Sequence, residues 1–379
     1  MKLALVHPFL YVRGGAERVV LKIAQKFDAK IYCMLYDKEK AFPEFKDLDI
    51  EVIPSKLFGL MPGILPIRVR HAIAAGEVFY WKKLHDYDVI NAHGTPSEWI
   101  RNKNGRVVWY CHGPNREAFD LYNFRMGKRK LHGKAVYWSC IQAYKYFESR
   151  TIPKIEYVFA NSKNTQNRLT RYLNLKSEIL HPGVDYKDFK CTGYEKYFFY
   201  PSRITPEKRF EYAIDAFKKF KKKSGRKDWK MVIAGALMQE RPEHVSYCEW
   251  IRERLGDDGE IRMNLQFQEL MELYANAYSV LYSPIDEDFG IVPLEAMSSR
   301  KPCIAVNEGG PKEVVLDGKT GFLVNSIDEM ADRMHYLADR PEEVETMGKA
   351  GRALVERHFS WDKFLNRFSD VCKKVGGKS

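Results

Sequence analysis

The chain has 379 residues, 45% of them hydrophobic, and a formal net charge of +12, which is enough for two ordinary domains with a core each. No stretch approaches the roughly 20 apolar residues of a membrane span, and the N-terminal MKLALVHPFLYVRGGAE lacks a signal peptide's cleavage site. The seven cysteines are scattered and never spaced CxxC, so the expectation is a cytoplasmic protein with reduced thiols, no disulfide frame and no zinc site.

The charge is uneven. Residues 1–180 carry +13 and residues 181–379 carry −1. A basic first half implies a polyanionic partner: membrane surface, lipid phosphate or nucleic acid.

Along the chain, Lys2–His7 is a short apolar run expected to form a buried parallel strand, followed by a Gly14-Gly15 turn and a helix over Ala16–Phe27. Further strands are expected at Ala29–Met34, Ile50–Ile53, Val89–Ala92, Val107–Cys111, Tyr157–Ala160 and about 178–183, with helical patterns between them. The alternation restarts with a strand at Tyr197–Pro201, a helix over Glu211–Lys223 and a strand at Lys230–Gly235. Helices near Val245–Leu255 and over Leu270–Ala277 follow, then a strand at Ser279–Ser283, a helix from Pro293 and a strand at Cys303–Val306. Strand–helix alternation twice over predicts an α/β protein of two doubly wound, Rossmann-like parallel-sheet domains facing a cleft. The expected division is 1–185 for the first domain and 196–360 for the second.

The most informative segment is Glu287-Asp288-Phe289-Gly290-Ile291-Val292-Pro293-Leu294-Glu295. Pro293 suits the first turn of a helix and Gly290 lets backbone approach a ligand, so free amides at the helix start are expected to hold an anion. Glu287 sits ahead of that site and Glu295 one turn inside the helix, a pattern suited to a phosphate flanked by polyhydroxy groups. Arg203 and Lys208 follow the strand Tyr197–Pro201, where two cations at fixed spacing suit a diphosphate. In the first half, Asn91-Ala92-His93-Gly94 and Tyr110-Cys111-His112-Gly113-Pro114-Asn115-Arg116 each put a histidine just past a strand. Gly14-Gly15 departs from the GxGxxG dinucleotide pattern. Asp86-Tyr87-Asp88 matches a metal-holding DxD, but it precedes a strand and is expected to bind no metal.

GGAER, YCHGPNR, ANSKNT, LHPGVD, SRITPEKRFEYAIDAF, the paired-glutamate segment and GGPKEVVLDGKTGFLV, in that order, resemble glycosyltransferase family 4 over nearly the whole chain. The resemblance implies a GT-B architecture, with a terminal helix within about 361–379 joining the first domain, and sugar transfer from a nucleotide diphosphate with retention at the anomeric carbon. It also implies that no metal or other cofactor is needed. It assigns Glu287 to the donor sugar's hydroxyls, Glu295 to the ribose, and Arg203 and Lys208, with the amides of Gly290, Ile291 and Val292, to the diphosphate. His112 is then near the transferred sugar and Gly15 near the diphosphate or acceptor, with Gly14, His93 and Arg116 on the acceptor side. The YCHxPxR form is similar to members that transfer mannose, which favours GDP-mannose. Gly113 where threonine is common, and Met263-Asn264-Leu265 where a glycine is usual, leave UDP-hexoses open.

Residues 101–150 hold 11 basic residues against 3 acidic ones, interleaved with Phe119, Tyr122, Phe124, Tyr137, Trp138, Tyr144, Tyr146 and Phe147. Upstream, Leu57–Pro66 is an apolar loop followed by Arg68 and Arg70. Such segments suit docking on an anionic inner membrane leaflet and a glycan or polyprenyl-linked acceptor; a solvated basic face over an aromatic core is the alternative. No nucleic-acid-binding motif is present, so no nucleic-acid partner is expected. A non-catalytic protein binding a nucleotide sugar or polyanion is a further alternative, against which Glu287, Glu295, Arg203 and Lys208 argue.

Overall fold

The computed structural model describes residues 1–63, 65–127, 129 and 131–377. Ile64 of the apolar loop, and Lys128 and Lys130 of the basic run, lie outside the described residues. The chain divides into two compact units, residues 1–182 with the segment from Asp362 onward, and residues 183–361.

The first unit is built on a seven-stranded sheet in the order Ile50–Val52, Lys30–Cys33, Leu3–Val6, Val89–His93, Val107–Cys111, Tyr157–Ala160, Glu178–Ile179. All neighbours are parallel. Leu3–Val6, Val89–His93 and Val107–Cys111 are buried at every position, because helices cover both faces of such a sheet. Strand order reverses between Leu3–Val6 and Val89–His93, and ligands bind in the crevice that such a reversal opens past the carboxyl ends. Helix Gly15–Phe27 buries Val19, Val20, Ile23 and Ala24 at helical spacing. The terminal helix Trp361–Val375 buries Phe364, Leu365, Phe368 and Cys372 in the same way. Phe364 stands edge-on to Tyr110 at 5.4 Å, and Arg367 grips Glu178 through two nitrogens at 2.6 and 2.7 Å.

The second unit has a six-stranded sheet ordered Gly259–Met263, Lys230–Gly235, Tyr197–Pro201, Ser279–Tyr282, Cys303–Val306, Gly321–Val324. Every pairing is again parallel. Its order also reverses beside its first strand, between Tyr197–Pro201 and Ser279–Tyr282. Gly259–Met263 has no apolar run to announce it, because it is a largely exposed edge strand reading GEIRM. Between Val306 and Trp361 the structure adds strand Gly321–Val324 and helices Pro311–Val314, Ile327–Asp339 and Pro341–His358. Ser326 caps the second of these helices by accepting from the Glu329 N–H, and Pro341 opens the third. Among the described residues, no helix is long and apolar enough to cross a membrane.

Candidate functional site

In the second unit, two loops leave the paired strand ends at the reversal point and are stitched together. The Tyr200 hydroxyl, fully buried, donates to the Lys208 carbonyl at 2.5 Å and accepts from the Ser283 N–H at 2.9 Å. The Ile285 N–H donates to the Glu207 carbonyl at 2.9 Å. Arg209, in left-handed backbone, donates to the carbonyls of Ser283 at 2.7 Å and Pro284 at 3.0 Å, and to the Glu308 carboxylate at 3.0 Å. These bonds fix Lys208, only 8% exposed, with its Nζ 2.7 Å from Glu287 Oε2 and 3.4 Å from the Tyr282 hydroxyl. A buried ammonium and a carboxylate thus meet where the sheet reverses.

Gly290 lies at φ +80 with the Tyr282 ring beside it, and the helix it precedes runs Val292–Ser298, seven residues. Glu295, within that helix, accepts from the buried Tyr274 hydroxyl at 2.5 Å. A glycine pair packs on the same loop. The Gly310 N–H donates to the Glu287 carbonyl at 2.8 Å, and a Cβ on Gly309 or Gly310 would overlap the backbone of Glu287 or Phe289.

Arg203 differs from Lys208. It is exposed and, among the described residues, forms no hydrogen bond or ion pair. The expected pair of cations is therefore one exposed guanidinium and one ammonium already held by Glu287.

In the first unit, the ends of the three central strands bring His7, His93 and His112 together. His93 Nδ1 is 3.1 Å from His112 Nε2, and His93 Nε2 is 2.5 Å from Asn91 Oδ1. His7 accepts from the Phe9 N–H at 3.3 Å and lies 3.8 Å from Glu17. Burial lowers the pKa of His7 to about 4 and of His112 to about 3, the latter helped by His7. Burial, then His112 and His7, holds His93 well below the ordinary histidine range. His93 has no exposed surface, which corrects the expectation that it faces an acceptor: its reach is through His112. Arg116 is tied to Asp120 at 2.8 Å. A Cβ on Gly14 would meet Glu17, whereas Gly15 has nothing within 4 Å of a built Cβ, so its surface is open to a ligand.

Sequence reasoning missed His7, Glu17, Arg209, Tyr200 and the Gly309-Gly310 pair. The signal for His7 was its place directly after the first strand; Tyr200 lies inside an apolar strand and carries none. Two buried carboxyls were also hidden. Burial, then repulsion by Glu148, keeps Glu98 well above the usual range, and burial pushes Glu148 up to about 8. In Asp86-Tyr87-Asp88, Asp88 accepts from the Lys2 N–H at 2.7 Å and the Tyr87 and Tyr32 hydroxyls are 3.0 Å apart.

Two Rossmann-like parallel-sheet units in one chain are the architecture of the GT-B fold. The chain belongs to the glycosyltransferases: "Glycosyltransferase Family 4" matches residues 13–188 and "Glycosyl transferases group 1" matches residues 187–354. Alpha-1,3/1,6-mannosyltransferase ALG2 of Dictyostelium discoideum is 26% identical over 427 residues, spanning 99% of this chain and 98% of that protein. The Mus musculus protein of the same name is 26% identical over 98% of this chain and 95% of its own length. Sucrose-phosphate synthase from Thermosynechococcus elongatus superposes with a TM-score of 0.77 at 18% identity, covering 100% of both chains. Anabaena Alr3699/HepE in complex with UDP-glucose does so at 0.74 and 18%, covering 99% of this chain and 100% of that one.

Proposed function

We propose that this glycosyltransferase moves mannose from GDP-mannose to a glycan or polyprenyl-linked acceptor, with retention and without a metal. The observation that carries the donor site is the Lys208–Glu287 pair, 2.7 Å apart at the sheet's reversal point. Mannose is supported by relatives that bear the name mannosyltransferase over nearly their whole length.

In this reading a bound diphosphate draws Lys208 away from Glu287, and the released carboxylate accepts from hydroxyls of the donor sugar. Arg203, which is exposed, takes the other phosphate oxygens with the amides of Gly290, Ile291 and Val292. Glu295 takes the ribose, with the Tyr274 hydroxyl holding its carboxylate in place. Negative charge grows on the departing diphosphate as the glycosidic bond breaks, and fixed cations stabilise it most at that moment. Those side-chain cations supply the charge a metal otherwise would. The leaving phosphate accepts the acceptor's proton, so Glu287 is no nucleophile of the glycosidase kind. The first unit takes the acceptor, with His112, Gly14, Gly15 and Arg116 as its contacts.

The acceptor's lipid is supported by apolar side chains left in water on the basic unit. Leu60 is 80% and Leu131 85% exposed, with Trp81, Val136, Trp138 and Tyr146 also exposed. Peripheral docking on an anionic inner leaflet fits them. Incubation with GDP-mannose and a polyprenyl-diphosphate oligosaccharide, in chelator, tests the proposal. An α-linked mannosyl product is expected by NMR; a β-linked product, or a strict need for added metal, overturns it. Failure to float with anionic vesicles at low salt removes the membrane part.

A further inference from the structure

We propose that Asn91 and His93 are positioning residues that fix the tautomer of His112, leaving its Nδ1 unprotonated to accept a hydrogen bond from a sugar hydroxyl. The inference rests on the reading of His112 as a substrate contact. It follows from counting donors and acceptors along one buried chain of bonds.

The Asn91 side-chain nitrogen lies 2.9 Å from the Val108 carbonyl oxygen. A carbonyl only accepts, so the amide nitrogen must face it and the amide oxygen must face His93. That oxygen, 2.5 Å from His93 Nε2, also only accepts, so His93 carries its proton on Nε2. Asn91 and His93 have no exposed surface, and burial keeps His93 neutral. A neutral imidazole has one N–H, so His93 Nδ1 is bare and accepts. Its partner, 3.1 Å away, is His112 Nε2, which must therefore be the donor. His112 is also held neutral by burial, with His7 adding to the effect, so its own Nδ1 is left as a lone pair. Among the described residues that nitrogen has no hydrogen-bond partner, and His112, unlike Asn91 and His93, is partly exposed.

Each step has one outcome, because the chain ends on backbone at Val108 and cannot reverse. With a charged or flipped Asn91 partner the polarity would invert, and His112 would present an N–H instead. An acceptor-only nitrogen selects a hydroxyl that donates, and it orients that hydroxyl without itself carrying charge.

The tautomers can be read from nitrogen NMR of protein labelled with 15N-histidine, with His112 assigned by its loss in His112→Gln. The expected result is a protonated Nε2 and a bare Nδ1 on both His93 and His112. Asn91→Leu, which offers His93 no acceptor, is expected to mix the His112 tautomers and lower kcat about tenfold, the worth of one hydrogen bond. The donor KM should move far less. His93→Gln can still donate toward Asn91 and accept from His112, and is expected to keep the His112 Nδ1 bare. A protonated Nδ1 on His112 in the wild-type protein overturns the relay, and that spectrum decides the question even where Asn91→Leu fails to fold. The expected tautomer with wild-type turnover in His112→Ala overturns the underlying substrate contact instead.

Discussion

Replacing Lys208 with methionine removes the ammonium and keeps the length of the side chain. The ion pair is short, Nζ to Oε2 being 2.7 Å, and the Lys208 and Glu287 side chains are 10% and 28% exposed. At that separation Coulomb attraction is about 6 kcal/mol for an effective dielectric near 20. Desolvation of both charges offsets most of it, and removing one partner of a buried pair costs about 3–5 kcal/mol. Because Glu287 retains some access to water, Lys208→Met is expected to cost about 2–3 kcal/mol. That lowers the melting temperature by about 5–10 °C for a unit of this size. The assay is a double-mutant cycle by thermal or urea denaturation over Lys208→Met, Glu287→Gln and both together. A coupling of about 1 kcal/mol or more is expected. The same lysine is assigned to the diphosphate, so kcat/KM for the donor should fall by about 10- to 100-fold, the range of one hydrogen bond to a charged group. Additive single mutants, or Lys208→Met melting with the wild type, would refute the pair and the exchange built on it.

Three further outcomes follow from the same geometry. Arg203→Ala should leave the melting temperature unchanged while weakening donor binding about tenfold or more, since the guanidinium is exposed and has no partner among the described residues; a lowered melt with intact binding, measured by calorimetry, contradicts it. Gly310→Ala should cost about 1–3 kcal/mol and donor affinity together, because its Cβ overlaps the Phe289 backbone, whereas Gly15→Ala should melt as wild type and lose transfer. Stability should peak near pH 6.5. His7, His93 and His112 have depressed folded pKa values, so stability is lost as pH falls below 6.5, by about 1.4 kcal/mol per pH unit for each. Glu98 and Glu148 are raised, so their contribution is lost as pH climbs above the ordinary carboxyl range. Between pH 4.5 and 6.5 three histidines outweigh two glutamates, and above it the glutamates alone remain. Denaturation from pH 5 to 9 checks this, and Glu148→Gln should flatten the alkaline side.

Both sheets were legible in the sequence because buried parallel strands are continuous apolar runs. Val107–Cys111, Tyr157–Ala160, Tyr197–Pro201, Lys230–Gly235 and Cys303–Val306 stand in the structure with the bounds their residues predict. One edge strand broke the rule: Gly259–Met263 carries two charges in five residues because little covers it. For the candidate site, sequence marks which residues stand past strand ends but not which of them meet. Lys208 and Glu287 are 79 positions apart, and their contact depends on Tyr200, Arg209 and Ile285 sewing two loops together. The same holds for the histidines. His93 and His112 look equivalent in YCHGPNR and NAHG, yet one is sealed and the other partly open, a distinction made by packing that no motif carries.

Binding of a nucleotide-diphosphate sugar to the second unit through Lys208 and Glu287 is tested most directly by a thermal-shift comparison of GDP-mannose with UDP- and ADP-sugars. Ligand at 100 times its Kd stabilises the native state by about 2.7 kcal/mol. A rise in melting temperature with GDP-mannose is expected, strongly reduced in Lys208→Met and Arg203→Ala. No shift with any nucleotide sugar, or an equal shift in those variants, would contradict it.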